Sequence, residues 1–137
     1  MNTSAVPQFE LSAWVYYENI DAGRIVYYAN YLRCMERARS DWLRACGISH
    51  QQLRREHGVM LMVTRSYTDH LAPARLEDDI VIYVSPTCAP RVCLDLNQQV
   101  RHRDGRLLSR AKMRAACVHV ANQRPYGFPS SVLGAIS

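Results

Sequence analysis

The chain has 137 residues, a formal net charge of +5, 48% apolar and 21% charged residues, which is the length of one domain and the composition of an ordinary globular protein. That balance excludes a disordered, collagen-like or coiled-coil chain, and no apolar run approaches the ~20 residues needed for a membrane-spanning helix. A single domain over residues 1–137 is expected.

The opening MNTSAVPQFELS lacks the basic stretch and apolar core of a secretory signal, so the expected location is cytoplasmic. From Phe9 the chain alternates through Leu11, Ala13, Val15 and Tyr17, the period of a strand over residues 9–17 with one buried face. ENIDAGRIVY, residues 18–27, breaks that period with Asp21, Ala22 and Gly23 and reads as a loop. Tyr28, Tyr31, Leu32, Met35, Ala38, Trp42, Leu43 and Cys46 then recur at three- and four-residue steps, which makes residues 28–46 an amphipathic helix, with Gly47 as its C-terminal cap. Ser49 followed by Gln52 has the spacing of a capping box and opens a second, short helix to about Glu56.

Strands follow over 59–68 and 79–85, separated by the Pro73-bearing loop DHLAPARLEDD. In the next strand Val92, Leu94, Leu96 and Val100 alternate with Cys93, Asp95, Asn97, Gln99 and Arg101. Asp104-Gly105 marks a hairpin whose return strand runs from about Leu107 to Ala121. One long helix and an antiparallel meander of strands make an α+β domain, in which the sheet must cover its apolar face with that helix.

Cys34, Cys46, Cys88, Cys93 and Cys117 are odd in number and form no Cys-x-x-Cys pair, which argues against a disulfide framework and a structural zinc site. His50, His57, His70, His102 and His119 have no ligand-like spacing, so no metal is expected. Lys112 is the one lysine among seventeen basic residues. Arginine grips phosphate and carboxylate in bidentate fashion, so an anionic ligand fits this composition as well as a solvated surface does. The basic residues show no interleaving with aromatics and no nucleic-acid motif, so no nucleic-acid partner is expected. GxGxxG, GxxxxGK[ST], GxSxG and HExxH are all absent.

Asp21 is the residue that suggests chemistry. It lies in a short loop seven residues before Tyr28, at the mouth of the long helix, where free backbone N–H groups can polarise a carbonyl and a carboxylate can serve as base or nucleophile. From spacing alone, an Asx turn or a helix cap is the better account of it.

The run VYYENIDAGRIVYYANYLRCMERARSDWLRACG, Val15 to Gly47, resembles the signature segment of the 4-hydroxybenzoyl-CoA thioesterase family, in particular its branch associated with the bacterial Tol-Pal system. The family pattern Tyr-Tyr-Glu-Asp-Thr-Asp-Ala-Gly-Gly-Val-Val-Tyr-His-Ala-Asn-Tyr runs without a gap against Tyr16 to Tyr31. YTDHLAPARLEDDI and RHRDGRLLSRAKMRAACV carry the resemblance onward, so that it covers roughly residues 12–129. It implies a hotdog fold, a strongly bent antiparallel sheet wrapped around one long helix, and hydrolysis of an acyl-CoA thioester without a bound cofactor or metal, coenzyme A being part of the substrate.

By the same resemblance Asp21 is the essential carboxylate, as nucleophile or as general base, and the backbone N–H of Tyr28 receives the thioester carbonyl oxygen. Arg91 and Arg124 are the candidates for the phosphates of coenzyme A, and Arg24 for an anionic substrate group. The family further implies a homo-oligomer, dimer or tetramer, with active sites at the dimer interface. Asn19, Ile20, Arg24 and Tyr28 depart from the family's Asp, Thr, Gly and His; the tyrosine bears on the acyl group accepted and Arg24 on the charge around Asp21. The rival readings are a thioesterase acting on acyl chains held by acyl-carrier protein and a catalytically weak module that binds acyl-CoA or a protein. Glu36, on the helix, is expected to pair with its i+3 and i+4 neighbours.

Overall fold

A computed structural model of the chain describes residues 9–20, 28–87, 93–130 and 132, with the backbone alone for Tyr28 and Ala29. Five strands, β1 (Phe9–Trp14), β2 (Val59–His70), β3 (Asp79–Pro86), β4 (Cys93–His102) and β5 (Leu107–His119), and two helices, α1 (Tyr28–Ala45) and α2 (His50–His57), match the expected elements closely.

α1 buries a stripe of Tyr31, Met35, Ala38 and Trp42, spaced to fall on one side of a 3.6-residue helix. It ends as anticipated at Gly47, whose φ of +83° suits a residue without Cβ. There the Gly47 amide donates to the Arg44 carbonyl and the Ile48 amide to the Leu43 carbonyl, closing two helix-end acceptors at 2.9 and 2.8 Å.

Ser49 caps α2 by accepting from the Gln52 amide at 3.3 Å. The reciprocal half of the capping box is missing, because the Gln52 side chain donates instead to Glu56 one turn on. Ser49→Ala is expected to destabilise the protein by about 1 kcal/mol, read as a fall in thermal midpoint with turnover unchanged.

All strand pairs are antiparallel, in the order β1-β3-β4-β5-β2. The inward face is apolar, with Ile80, Ile82 and Val84 of β3, Leu94, Leu96 and Val100 of β4, and Ala111, Met113 and Cys117 of β5 all buried. α1 crosses this face and joins it in one core.

Two expectations change. The strands after the helices do not form one meander. Only β3, β4 and β5 are neighbours in sequence and in space, while β2 lies at the far edge against β5. Alternation tells which face a residue takes and leaves the neighbouring strand open, so the order was not in the pattern. The first strand also stops at Trp14 rather than Tyr17. The Asn19 side chain accepts from the Tyr16 amide at 2.8 Å and turns the chain into a single 3-10 turn, Tyr17–Asn19, although Val15 remains buried. The hairpin at Asp104-Gly105 is present, with Gly105 at φ +98°.

Candidate active site

Asp21, Arg24 and Arg91 lie outside the described residues, in segments 21–27 and 88–92. What flanks the aspartate loop is well defined. Tyr28 opens α1, so its amide is among the first four N–H groups of the helix, which have no intrahelical acceptor and sit at the positive end of the helix dipole. Asn30, 5% exposed, donates through Nδ2 to the carbonyl of Asn19 at 2.9 Å and so ties the first turn of α1 to the segment that leads into the loop. Asn19 is two residues before Asp21.

On the other side of the same turn, the Tyr31 hydroxyl accepts from the Ala74 amide at 2.8 Å and donates to the Ala72 carbonyl at 3.2 Å. It thereby clamps α1 to the chain leaving β2. Tyr31 also stacks on His70, ring centres 5.7 Å apart, and His70 Nδ1 lies 3.2 Å from the Ser109 hydroxyl. Sequence reading did not foresee this Ser-His pair, whose members come from two strands. Ser109 is wholly buried and within bonding distance of the Asp69 carbonyl, which makes it a tie between β5 and β2 rather than an exposed nucleophile. Burial also pushes the thiols of Cys34, Cys46 and Cys117 up, away from the thiolate form that a nucleophile needs.

Glu36 accepts from Ser40 one turn on, the i+4 pairing anticipated for it. Arg124 is exposed, and its carbonyl accepts from the His119 amide at the end of β5. His119 is opposite Val59, whereas Ser109 is opposite His70 beside the start of α1. Arg124 and the α1 N-terminus thus sit beside opposite ends of the β2-β5 ladder within one chain.

Two cavities flank α1. One, of about 540 Å³, lies against β1, and the other, of about 310 Å³, is lined on the β2 side by Trp42, Leu43, Leu61, Val63 and Leu94, with Glu36, Arg39, Ser40 and His50 at its polar wall. Among the described residues no three His, Cys, Asp or Glu side chains gather as metal ligands, and no helix is long and apolar enough to cross a membrane.

An antiparallel sheet sharing one core with a single long helix, whose first turn is tied to Asn19, fits the architecture of the hotdog thioesterases. Residues 15–136 match the model of the thioesterase-like superfamily, and the chain belongs to that family. It is 33% identical over 127 residues to the acyl-CoA thioesterase YbgC of Haemophilus influenzae, covering 93% of each chain. It is 34% identical over 133 residues to the acyl-CoA thioester hydrolase YbgC of Escherichia coli, covering 97% of this chain and 96% of that one. Among solved structures it shares its fold with a 1,4-dihydroxy-2-naphthoyl-CoA thioesterase from Synechocystis, at a TM-score of 0.87, 21% identity and coverage of 95% and 96%. A mutant 4-hydroxybenzoyl-CoA thioesterase in complex with 4-hydroxybenzoyl-CoA has a TM-score of 0.85, 17% identity and coverage of 95% and 99%.

Proposed function

We propose that the chain is an acyl-CoA thioester hydrolase in which the Asp21 carboxylate activates water, or attacks the carbonyl itself, while the Tyr28 amide takes the charge that builds on the carbonyl oxygen. Carbon–sulfur cleavage then releases the coenzyme A thiol and the free acid. The observation that supports this reading is the fastening of Asn19 to the first turn of α1, which holds the approach to the aspartate beside the positive end of the helix dipole. The amide role survives any residue but proline at position 28, so tyrosine in place of the family's histidine leaves it intact. The apolar cavity beside Leu43 and Leu61 is a receptor for the acyl group. The four described cysteines are free, as a reducing cytoplasm would leave them.

The working form is a homo-oligomer, a dimer or a tetramer, paired along β2. That strand is twelve residues long and forms a sheet edge, and Val63, Tyr67 and Leu71 along it, with Leu32 on the adjoining flank of α1, are large apolar side chains left exposed. Antiparallel pairing of two such edges about a two-fold axis brings the β5 end of one protomer, with Arg124, toward the α1 N-terminus of the other. Arg124 can meet the phosphates of a substrate held there only across that interface; Arg91 and Arg24 complete the set proposed for anionic groups. Light scattering should give a dimer or larger species, and a stable monomer at micromolar concentration would refute the pairing.

Arginine–phosphate attraction at the surface is screened over about 8–10 Å at ordinary ionic strength, so the apparent KM is expected to rise with salt while kcat changes little. An unchanged KM would remove that contact as a main contribution. The reading itself is tested by thiol release across short, long and aromatic acyl-CoAs and the same acyl groups on acyl-carrier protein. Faster turnover on the carrier would favour that substrate, for which Lys112 on β5 and Arg65 beside it offer positive charge between the Arg110–Asp69 and Arg114–Asp95 ion pairs. Binding without turnover on every substrate would reduce the protein to a binding module.

A further inference from the structure

The larger cavity lies on the flank of α1 turned away from β2. Asn30, Arg33, Cys34 and Arg37 form one stripe of the helix, and Glu36, Arg39, Ser40 and Leu43 form another. At about 100° per residue the two stripes stand roughly 110–120° to either side of the buried one. The β1-side groove is therefore separated by the body of the helix from the apolar cavity and from the Tyr31–His70–Ser109 cluster.

Its walls have an uncommon composition. Trp14 at the end of β1 and Tyr16 at the 3-10 turn are 46% and 59% exposed, two large aromatic faces left open at the rim. Arg33 and Arg37, one turn apart, face them from α1, and Arg103 joins from the β4-β5 hairpin. Arg103 is neutralised by Asp79 at 3.6 Å. Arg33 is steadied by the Asn30 side-chain oxygen at 3.2 Å, and among the described residues neither Arg33 nor Arg37 has a carboxylate within ion-pair distance. Glu18, the remaining acid in the groove, is suited to accept from sugar hydroxyls. Aromatic faces for a base, two guanidinium forks for phosphate and a volume of about 540 Å³ together describe one ligand class.

We propose that this groove binds a phosphorylated purine nucleotide, the base against Trp14 and Tyr16 and the phosphate between Arg33 and Arg37. Such a ligand has two sources: the nucleotide end of coenzyme A, in which case the inference rests on the thioesterase reading and places that end here rather than at Arg91 and Arg124, or a free nucleotide bound independently of substrate.

The test titrates the full-length protein with coenzyme A, ADP and adenosine, using calorimetry for affinity and Trp14 fluorescence for location, Trp42 being buried. Coenzyme A, ADP or both should bind and quench, while adenosine, lacking phosphate, should bind at least tenfold more weakly. Arg37→Gln should weaken binding about tenfold at an unchanged thermal midpoint. Trp14→Phe should abolish the quench and keep most of the affinity. If ADP competes with acyl-CoA and Arg37→Gln raises KM at constant kcat, the occupant is the end of coenzyme A. If ADP binds in the presence of saturating coenzyme A and KM is unmoved, it is a free nucleotide. The proposal is overturned if neither compound binds, or if Arg33→Gln/Arg37→Gln binds both within twofold of the parent protein. These binding readouts do not depend on turnover, so an inactive protein that still binds nucleotide would sink the hydrolase reading and leave this one standing.

Discussion

Asp21→Asn should lower kcat by about 10² or more while the protein stays folded and keeps its affinity for acyl-CoA. Asparagine preserves size and most hydrogen bonding and removes the charge and the basicity, so the variant separates chemistry from architecture. Two alternatives for the missing carboxylate are weak on physical grounds. The Ser109 hydroxyl is enclosed, and the described cysteine thiols with resolved shifts are all moved away from thiolate. If Asp21 only forms a turn or a cap, the same change should reduce stability by about 1 kcal/mol or less and leave turnover near normal. Measuring kcat and the thermal midpoint on one preparation decides between these, and near-normal kcat in a folded variant would sink the mechanism.

Much of the architecture was legible because it is local. The step pattern from Tyr31 to Trp42 is set by the helix itself, Gly47 and Ser49 act on amides a few residues away, and the strand alternation fixes which side chains turn inward. The order of strands was not legible, since β2 finds β5 across the whole of β3 and β4 and nothing in either strand's period names its neighbour. The same limit hid the surroundings of the site. Tyr31, His70 and Ser109 come from a helix and two strands, and Trp14, Arg33, Arg37 and Arg103 from two elements and a hairpin, so each group exists only after folding. Arg124 shows the same limit at a larger scale: its place at the far end of the β2-β5 ladder from α1's first turn is set by the strand pairing, which no period in the sequence states.

The β4 alternation of Leu94, Leu96 and Val100 passes over Gln98, a polar residue at an inward position, and the structure explains why it is there. Gln98 is 1% exposed, donates through Nε2 to the Met35 carbonyl at 2.8 Å and accepts from Arg39 Nη1 at 2.9 Å. The sheet is thus pinned to the middle of α1 by two polar contacts inside an apolar core. Burial already disfavours the charged guanidinium of Arg39, pulling its pKa down, with the nearby Glu36 carboxylate opposing that shift, so the loss of its acceptor would be felt. Gln98→Ala, which removes both contacts and leaves a void, is expected to destabilise by about 3 kcal/mol and lower the thermal midpoint by about 10 °C. Gln98→Leu refills most of the void without the bonds and should recover roughly half of that loss. Equal destabilisation by Ala and Leu would assign the whole effect to the polar pin, and an alanine variant within about 0.5 kcal/mol of the parent would show that the pin is dispensable. The pin also bears on where the helix lies along its axis, and with it the Tyr28 amide proposed to meet the carbonyl oxygen. A shift of about 1 Å there is enough to cost a large factor in rate. Gln98→Ala should therefore lower kcat, measured well below its midpoint, more than Ile82→Ala, a core truncation outside the cavities, does at comparable stability; equal kcat in the two variants would confine the role of Gln98 to stability.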